Sequence, residues 1–232
     1  MSKEPKKCLI IELECVLWQH KVSGQKVLKI QNKRFVYLIS PTKIPDNTFF
    51  KSLELIFKSK KVSFFQLRLK NEKLSKKILF SKKIIKICRK YGVKFIINDD
   101  PILALKVNAD GCHLGQKDMS IIKAKKILKN RIIGITCHNS IRLAKEALMN
   151  GANYIAVGAF YKTKTKKVKF RAKPSILRKI KKLSNNPIVA IGGINEKNYR
   201  KLLLNKANFL AISGYIWNNN KYKPYEAIER LK

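Results

Sequence analysis

Acidic side chains are scarce: 14 Asp and Glu stand against 52 Lys and Arg in 232 residues, leaving a formal net charge of +38. With only 3 His, and no two of them at ligand spacing, histidine metal cages are excluded. The 5 cysteines (Cys8, Cys15, Cys88, Cys112, Cys137) are odd in number and form no C-x-x-C pair, so they read as reduced thiols rather than a disulfide or zinc framework. Long apolar runs are missing too. The segment Cys8–Glu14 is too short and too acidic for a membrane span or a signal-peptide core. The expected location is therefore cytoplasmic.

What is present fits one folded domain. The chain is 45% hydrophobic and 9% aromatic, enough apolar material for a full core. The positive field attracts polyanions of any kind. Its source is mostly Lys, spread from Lys3 to Lys232, without the Arg- and aromatic-rich surface of a nucleic-acid reader. Compositional bias toward Lys, Ile and Asn explains it, and any nucleic-acid binding is expected to be non-specific. A basic nucleic-acid-binding barrel without catalysis is the alternative from another class.

Eight short apolar or β-branched segments read as strands: Phe35–Ser40, Val62–Leu67, Lys94–Ile97, Asp110–His113, Ile132–Thr136, Tyr154–Val157, Ile188–Ile191 and Phe209–Ile212. They mostly lack strict alternation, as strands covered on both faces do. Basic amphipathic stretches such as Ser75–Lys90, Ile121–Lys129, Ile141–Met149 and Pro174–Leu183 separate them. Alternating βα units point to an α/β fold, a (β/α)₈ TIM barrel over residues 34–232, with an open Rossmann-type sheet as the structural alternative. Residues 1–33 are an N-terminal extension of unassigned role.

In such a barrel the chemistry collects where strands end. Gln66, Arg68 and Lys70 alternate along Gln66–Lys70 and project together, a pattern able to hold a diphosphate. Asn98-Asp99-Asp100 and Gly111–Asp118 follow at the next two strand ends, placing carboxylates where few exist. Hard oxygen ligands from two loops suit Mg²⁺. Taken singly, Asp99 or Asp100 reads more simply as a helix N-cap before Pro101, and Asp118 as another before Met119. His113 reads as a buried, hydrogen-bonded histidine rather than a base or a ligand. Thr163, Thr165 and their lysines, with Gly192-Gly193 and Ile212-Ser213-Gly214, are able to follow phosphates.

From about Arg34 to Trp217 the chain resembles the thiamine phosphate synthase family, with the TenI-like thiazole tautomerases as its close relative. The resemblance is carried by Tyr37–Ser40, Gln66–Lys70, Phe95–Asp99, Ala109–Asp118, Gly134–Asn139, Gly151–Gly158, Thr163–Lys166 and Pro187–Ile194 in that order. It implies that Gln66, Arg68, Lys70, Asn98, Thr136 and Lys166 hold a pyrimidine diphosphate. Asp99 and Asp118 would hold Mg²⁺. Thr163, Thr165, Gly193, Ile212 and Ser213 would hold a thiazole phosphate, the last two largely through backbone. Arg68, Lys70 and Lys166 would neutralise the leaving group. The tautomerases characteristically lose the diphosphate and Thr-x-Thr-Lys features, so their presence implies the synthase, with a tautomerase or a slow, diverged homologue as the alternative. The chain departs from the family at Ala159 and Lys162, where Pro is usual, and over Lys167–Pro174, which lacks a common glycine.

Overall fold

Strand Val36–Ile39 (β1) is buried at every residue, which requires cover on both faces. The computed structural model of the chain describes residues 34–45, 47–163 and 170–232. It supplies that cover with a closed barrel in the order β1-β2-β3-β4-β5-β6-β7-β8. The remaining strands are Val62–Leu67 (β2), Lys94–Asn98 (β3), Gly111–Leu114 (β4), Ile132–His138 (β5), Tyr154–Gly158 (β6), Ile188–Ile191 (β7) and Phe209–Ile212 (β8). Tyr37 pairs with Ala211 as β1 meets β8 in parallel, so the sheet has no free edge and the open Rossmann-type alternative is excluded.

Most strand limits agree with the sequence expectation to within a residue. Asp110 lies just before β4, and its side-chain Oδ2 accepts from Phe95 N at 2.8 Å. The exception is β5, which runs two residues beyond Thr136, to His138. The N-terminal extension expected over residues 1–33 lies outside the described residues.

Helices Thr48–Lys58 (α1), Leu74–Tyr91 (α2), Pro101–Lys106 (α3), Ile121–Leu128 (α4), Ile141–Met149 (α5), Ser175–Lys181 (α6), Tyr199–Leu204 (α7), Gly214–Trp217 (α8) and Pro224–Glu229 (α9) follow along the chain. In α2 the buried residues are Ser81, Ile84, Ile85 and Cys88, a stripe at helical spacing that seats against the barrel while Lys82, Lys83 and Lys86 stay in solvent. Gly92 ends this helix at φ 63, where its N–H reaches Arg89 O and Cys88 O. Side-chain caps start three others: Asp100 accepts from Leu103 N, Ser120 from Lys123 N and Ser140 from Leu143 N. Of the two carboxylate caps considered from sequence, Asp100 is therefore one. Asp118 is not, because Ser120 takes that position.

Inside the barrel Tyr37, Ile39, Ile96, Tyr154, Ala156, Val189 and Ala211 form the central cluster, with Phe64, Ile132, Ile191 and Phe209 packed against it. Small and aromatic residues face one another, so rings from one wall fill the space that small residues leave on another. Cys88, Cys112 and Cys137 are buried free thiols. Among the described residues no helix is long and apolar enough to cross a membrane.

Candidate active site

The C-terminal strand ends carry nearly every residue singled out from sequence. Lys70, just beyond β2, places Nζ 3.0 Å from Asp99 Oδ2, beyond β3. Asp99 adopts φ 64, and its N–H donates to His113 O of β4 at 2.7 Å. That bond turns the chain after β3 toward β4. The loop after β4 then returns Asp118, whose Oδ2 accepts from Gly115 N at 2.6 Å. Asp99 and Asp118 share a side-chain hydrogen bond, so two carboxyls separated in sequence meet on the rim.

Their environments push them apart. Burial opposes ionisation of Asp99, but its hydrogen bonds with Asp118 and Lys70 and the Lys70 charge outweigh that and hold its carboxyl below the ordinary range. Burial and the neighbouring Asp99 push Asp118 up, against the Gly115 N–H. A divalent cation with a preference for oxygen would relieve this repulsion and suits the donor set. Among the described residues no group of three or more His, Cys, Asp or Glu forms a complete protein cage; oxygens from substrate and water would have to complete such a site. A cavity of about 220 Å³ adjoins the pair, lined by Lys70, Lys77, Asn98, Asp99 and the apolar Leu67 and Leu103 among others.

Gln66 and Thr136 point into a buried polar row rather than the open rim. Gln66 is only 2% exposed, and its Nε2 donates to Tyr37 Oη at 3.1 Å. Tyr37 Oη lies 2.7 Å from Tyr154 Oη, which lies 2.9 Å from His113 Nδ1. His113 Nε2 is 2.9 Å from Thr136 Oγ1. Burial lowers the His113 pKa to about 4, so the ring is neutral near pH 7, as the sequence reading expected of a structural histidine. Burial also pushes both tyrosine hydroxyls up. No role was read from sequence for Tyr37 or Tyr154, although both lie in segments that carry the family resemblance.

On the opposite rim, Gly193 has φ 63, and a Cβ there would lie 2.3 Å from Lys162 O. Only glycine fits this turn. Tyr161 N donates to Gly192 O at 3.0 Å, which ties the loop after β6 to the loop after β7. Ser213 donates to Ser40 O at 3.1 Å, Ser40 Oγ accepts from Arg68 N at 2.9 Å, and Trp217 Nε1 donates to Ile39 O at 2.7 Å. These latches join the ends of β1, β2 and β8, and no role was read from sequence for Ser40 or Trp217. Arg68 is half-buried without a carboxylate partner among the described residues, Asn98 and Thr163 are half-buried, and Ile212 is buried. Thr165 and Lys166 lie outside the described residues.

A closed parallel barrel whose strand ends gather a carboxyl pair, cationic side chains and a glycine turn defines a (β/α)₈-barrel enzyme with its working face at the C-terminal mouth. The family model described as thiamine monophosphate synthase matches residues 36–216. The thiamine-phosphate synthase of Pelagibacter ubique is 69% identical over 201 residues, covering 87% of this chain and 97% of that protein. That of Saccharophagus degradans is 39% identical over 184 residues, covering 78% and 84%. Among solved structures, thiamine phosphate pyrophosphorylase from Pyrococcus furiosus aligns with TM-score 0.75 at 30% identity, covering 87% of this chain and 95% of that one. The 3-hexulose-6-phosphate synthase of Salmonella typhimurium, at TM-score 0.62 and 12% identity, shares the fold alone. The chain belongs to the thiamine monophosphate synthase family and is a transferase.

Proposed function

We propose that this chain makes thiamine phosphate by joining 4-amino-2-methyl-5-(diphosphooxymethyl)pyrimidine to a thiazole phosphate in the presence of Mg²⁺, with release of diphosphate. The observation that carries the reading is the Asp99–Asp118 carboxyl pair with Lys70 Nζ 3.0 Å from Asp99, at the mouth of a barrel of this family. Asp99 and Asp118 would hold the metal, and Mg²⁺ bound there would supply charge neutralisation for the departing diphosphate.

The chain's own residues divide the remaining work. Arg68 and Lys70 bind diphosphate oxygens, the planar guanidinium in pairs and the ammonium as a point charge. Lys166 would bind the same leaving group, while Asn98, Gln66 and Thr136 orient the pyrimidine. Thr163, Thr165, Gly193, Ile212 and Ser213 would hold the thiazole phosphate. In a dissociative substitution the C–O bond to diphosphate breaks first, and the thiazole nitrogen then forms the new C–N bond. The protein supplies alignment and charge stabilisation, without a protein nucleophile. Small-molecule substrates, a cytoplasmic location and self-association complete the reading.

A coupling assay with both phosphorylated precursors tests it. Thiamine phosphate and diphosphate should form in equal amounts with Mg²⁺ and stop with EDTA. No product with Mg²⁺, or an unchanged rate in EDTA, would overturn the reading.

A further inference from the structure

Five side chains from five strands form one unbroken hydrogen-bonded row inside the barrel: Gln66 (β2), Tyr37 (β1), Tyr154 (β6), His113 (β4) and Thr136 (β5). The three inner members are buried, with Tyr37 1%, Tyr154 3% and His113 8% exposed. Each is a neutral group with one proton to give and one neighbour on either side. Such a group must donate to one neighbour and accept from the other. The row therefore runs in a single direction from end to end, and the two ends are not independent.

When Gln66 gives an amide N–H to Tyr37, its carbonyl oxygen is left to accept. At the far end His113 Nε2–H then donates to Thr136 Oγ1, leaving the Thr136 hydroxyl proton to be donated elsewhere. Reversed, the row would leave Gln66 a donor and Thr136 an acceptor. A 4-aminopyrimidine presents a donating amine beside an accepting ring nitrogen; its 4-oxo counterpart presents an accepting carbonyl beside a donating ring N–H. The two polarities of the row thus correspond to two different heterocycles.

We propose that Tyr37, Tyr154 and His113 form a polarity relay that holds Gln66 as acceptor and Thr136 as donor, and so sets the choice of 4-aminopyrimidine over 4-oxopyrimidine. This rests on the reading of Gln66 and Thr136 as pyrimidine-binding residues. The three relay members are positioning residues, acting through the two ends. Gly134 belongs to the same device: a Cβ there would lie 1.9 Å from Tyr154 Cζ, so only glycine lets the Tyr154 ring pass between β5 and the barrel axis. A site whose buried hydrogen-bonding groups are fixed in this way rejects the mismatched analogue strongly, because the wrong substrate leaves polar groups unpaired.

The test is the ratio of kcat/KM for the 4-amino pyrimidine diphosphate and its 4-oxo analogue, measured in the parent, Tyr154→Phe and Tyr37→Phe with Mg²⁺ present. The parent should prefer the amino substrate by on the order of 10²-fold or more. Each variant should cut that preference by about tenfold, raising KM for the pyrimidine diphosphate and leaving KM for the thiazole phosphate within about twofold. Tyr37, whose ring stacks on Phe64 at 5.3 Å, keeps the test open should Tyr154→Phe not fold. An unchanged preference in a folded variant would overturn the relay, as would a parallel loss toward both substrates at constant preference, which marks a packing role. A parent that does not couple the aminopyrimidine at all would remove the pyrimidine reading and the relay with it, whereas a coupling parent with insensitive variants removes the relay alone.

Discussion

The hydroxyls of Tyr37 and Tyr154 meet at 2.7 Å across the barrel, although 117 positions separate them in the chain. Neither hydroxyl reaches water, so each is satisfied only by the other and by Gln66 or His113. An unpaired buried hydroxyl costs about 1–3 kcal/mol, which makes this contact a joint requirement of β1, β2, β4 and β6. It also links the barrel interior to two of the residues proposed to bind the pyrimidine.

Gly134→Ala should disturb that contact most directly. The added methyl would lie 1.9 Å from Tyr154 Cζ, so the ring or the strand has to shift. We expect a loss of about 1–3 kcal/mol in denaturant unfolding, together with weaker use of the pyrimidine diphosphate. A variant of parental stability and activity would show that the ring has room to move.

Acid stability should carry the signature of His113. Burial lowers its folded pKa to about 4 from the ordinary 6.5, so the unfolded chain binds the proton more readily. The stabilisation is present in full above about pH 6.5 and is lost as pH falls through 4, an effect of about 3 kcal/mol. His113→Gln should flatten that part of the stability–pH curve, measured by urea unfolding at several pH values. Parallel curves for parent and variant would contradict the neutral, buried assignment.

Asp99→Ala and Asp118→Ala should each reduce Mg²⁺-dependent turnover by about 10²-fold or more. Neither residue caps a helix, so the fold should survive with a melting temperature near the parent's. Mg²⁺ titrations of rate, alongside thermal melts, read both effects. If both variants keep parental activity and metal dependence, the carboxyl pair has no part in metal binding.

Lys166→Ala should lower kcat by roughly 10²-fold, as expected for a donor aimed at charge that grows in the transition state. The argument rests on its place directly after Thr163-Lys164-Thr165 rather than on charge alone. Lys164→Ala and Lys167→Ala are the controls and should change kcat little. Equal losses at all three would indicate a diffuse field instead of a single contact.

The eight strands were legible because each is a short apolar run between basic amphipathic stretches, a pattern written locally in the chain. Helix α1 was not singled out, and Asp118 was weighed as a cap before Met119 whereas Ser120 caps α4, because Asp and Ser are both good caps and only the backbone path chooses between them. The strand-end positions of Arg68, Lys70, Asp99 and Asp118 could likewise be read in order along the sequence. Their meeting could not, since the Asp99–Asp118 hydrogen bond depends on the positive φ of Asp99 and on the return of the loop after β4. Sequence alone therefore determined the alternation of strands and helices and the family's polar residues at the strand ends. Barrel closure decided which of those residues touch. Strands buried on both faces carry no alternation to mark their inner side, so Tyr37, His113 and Tyr154 became partners only when β1, β4 and β6 curved around one axis.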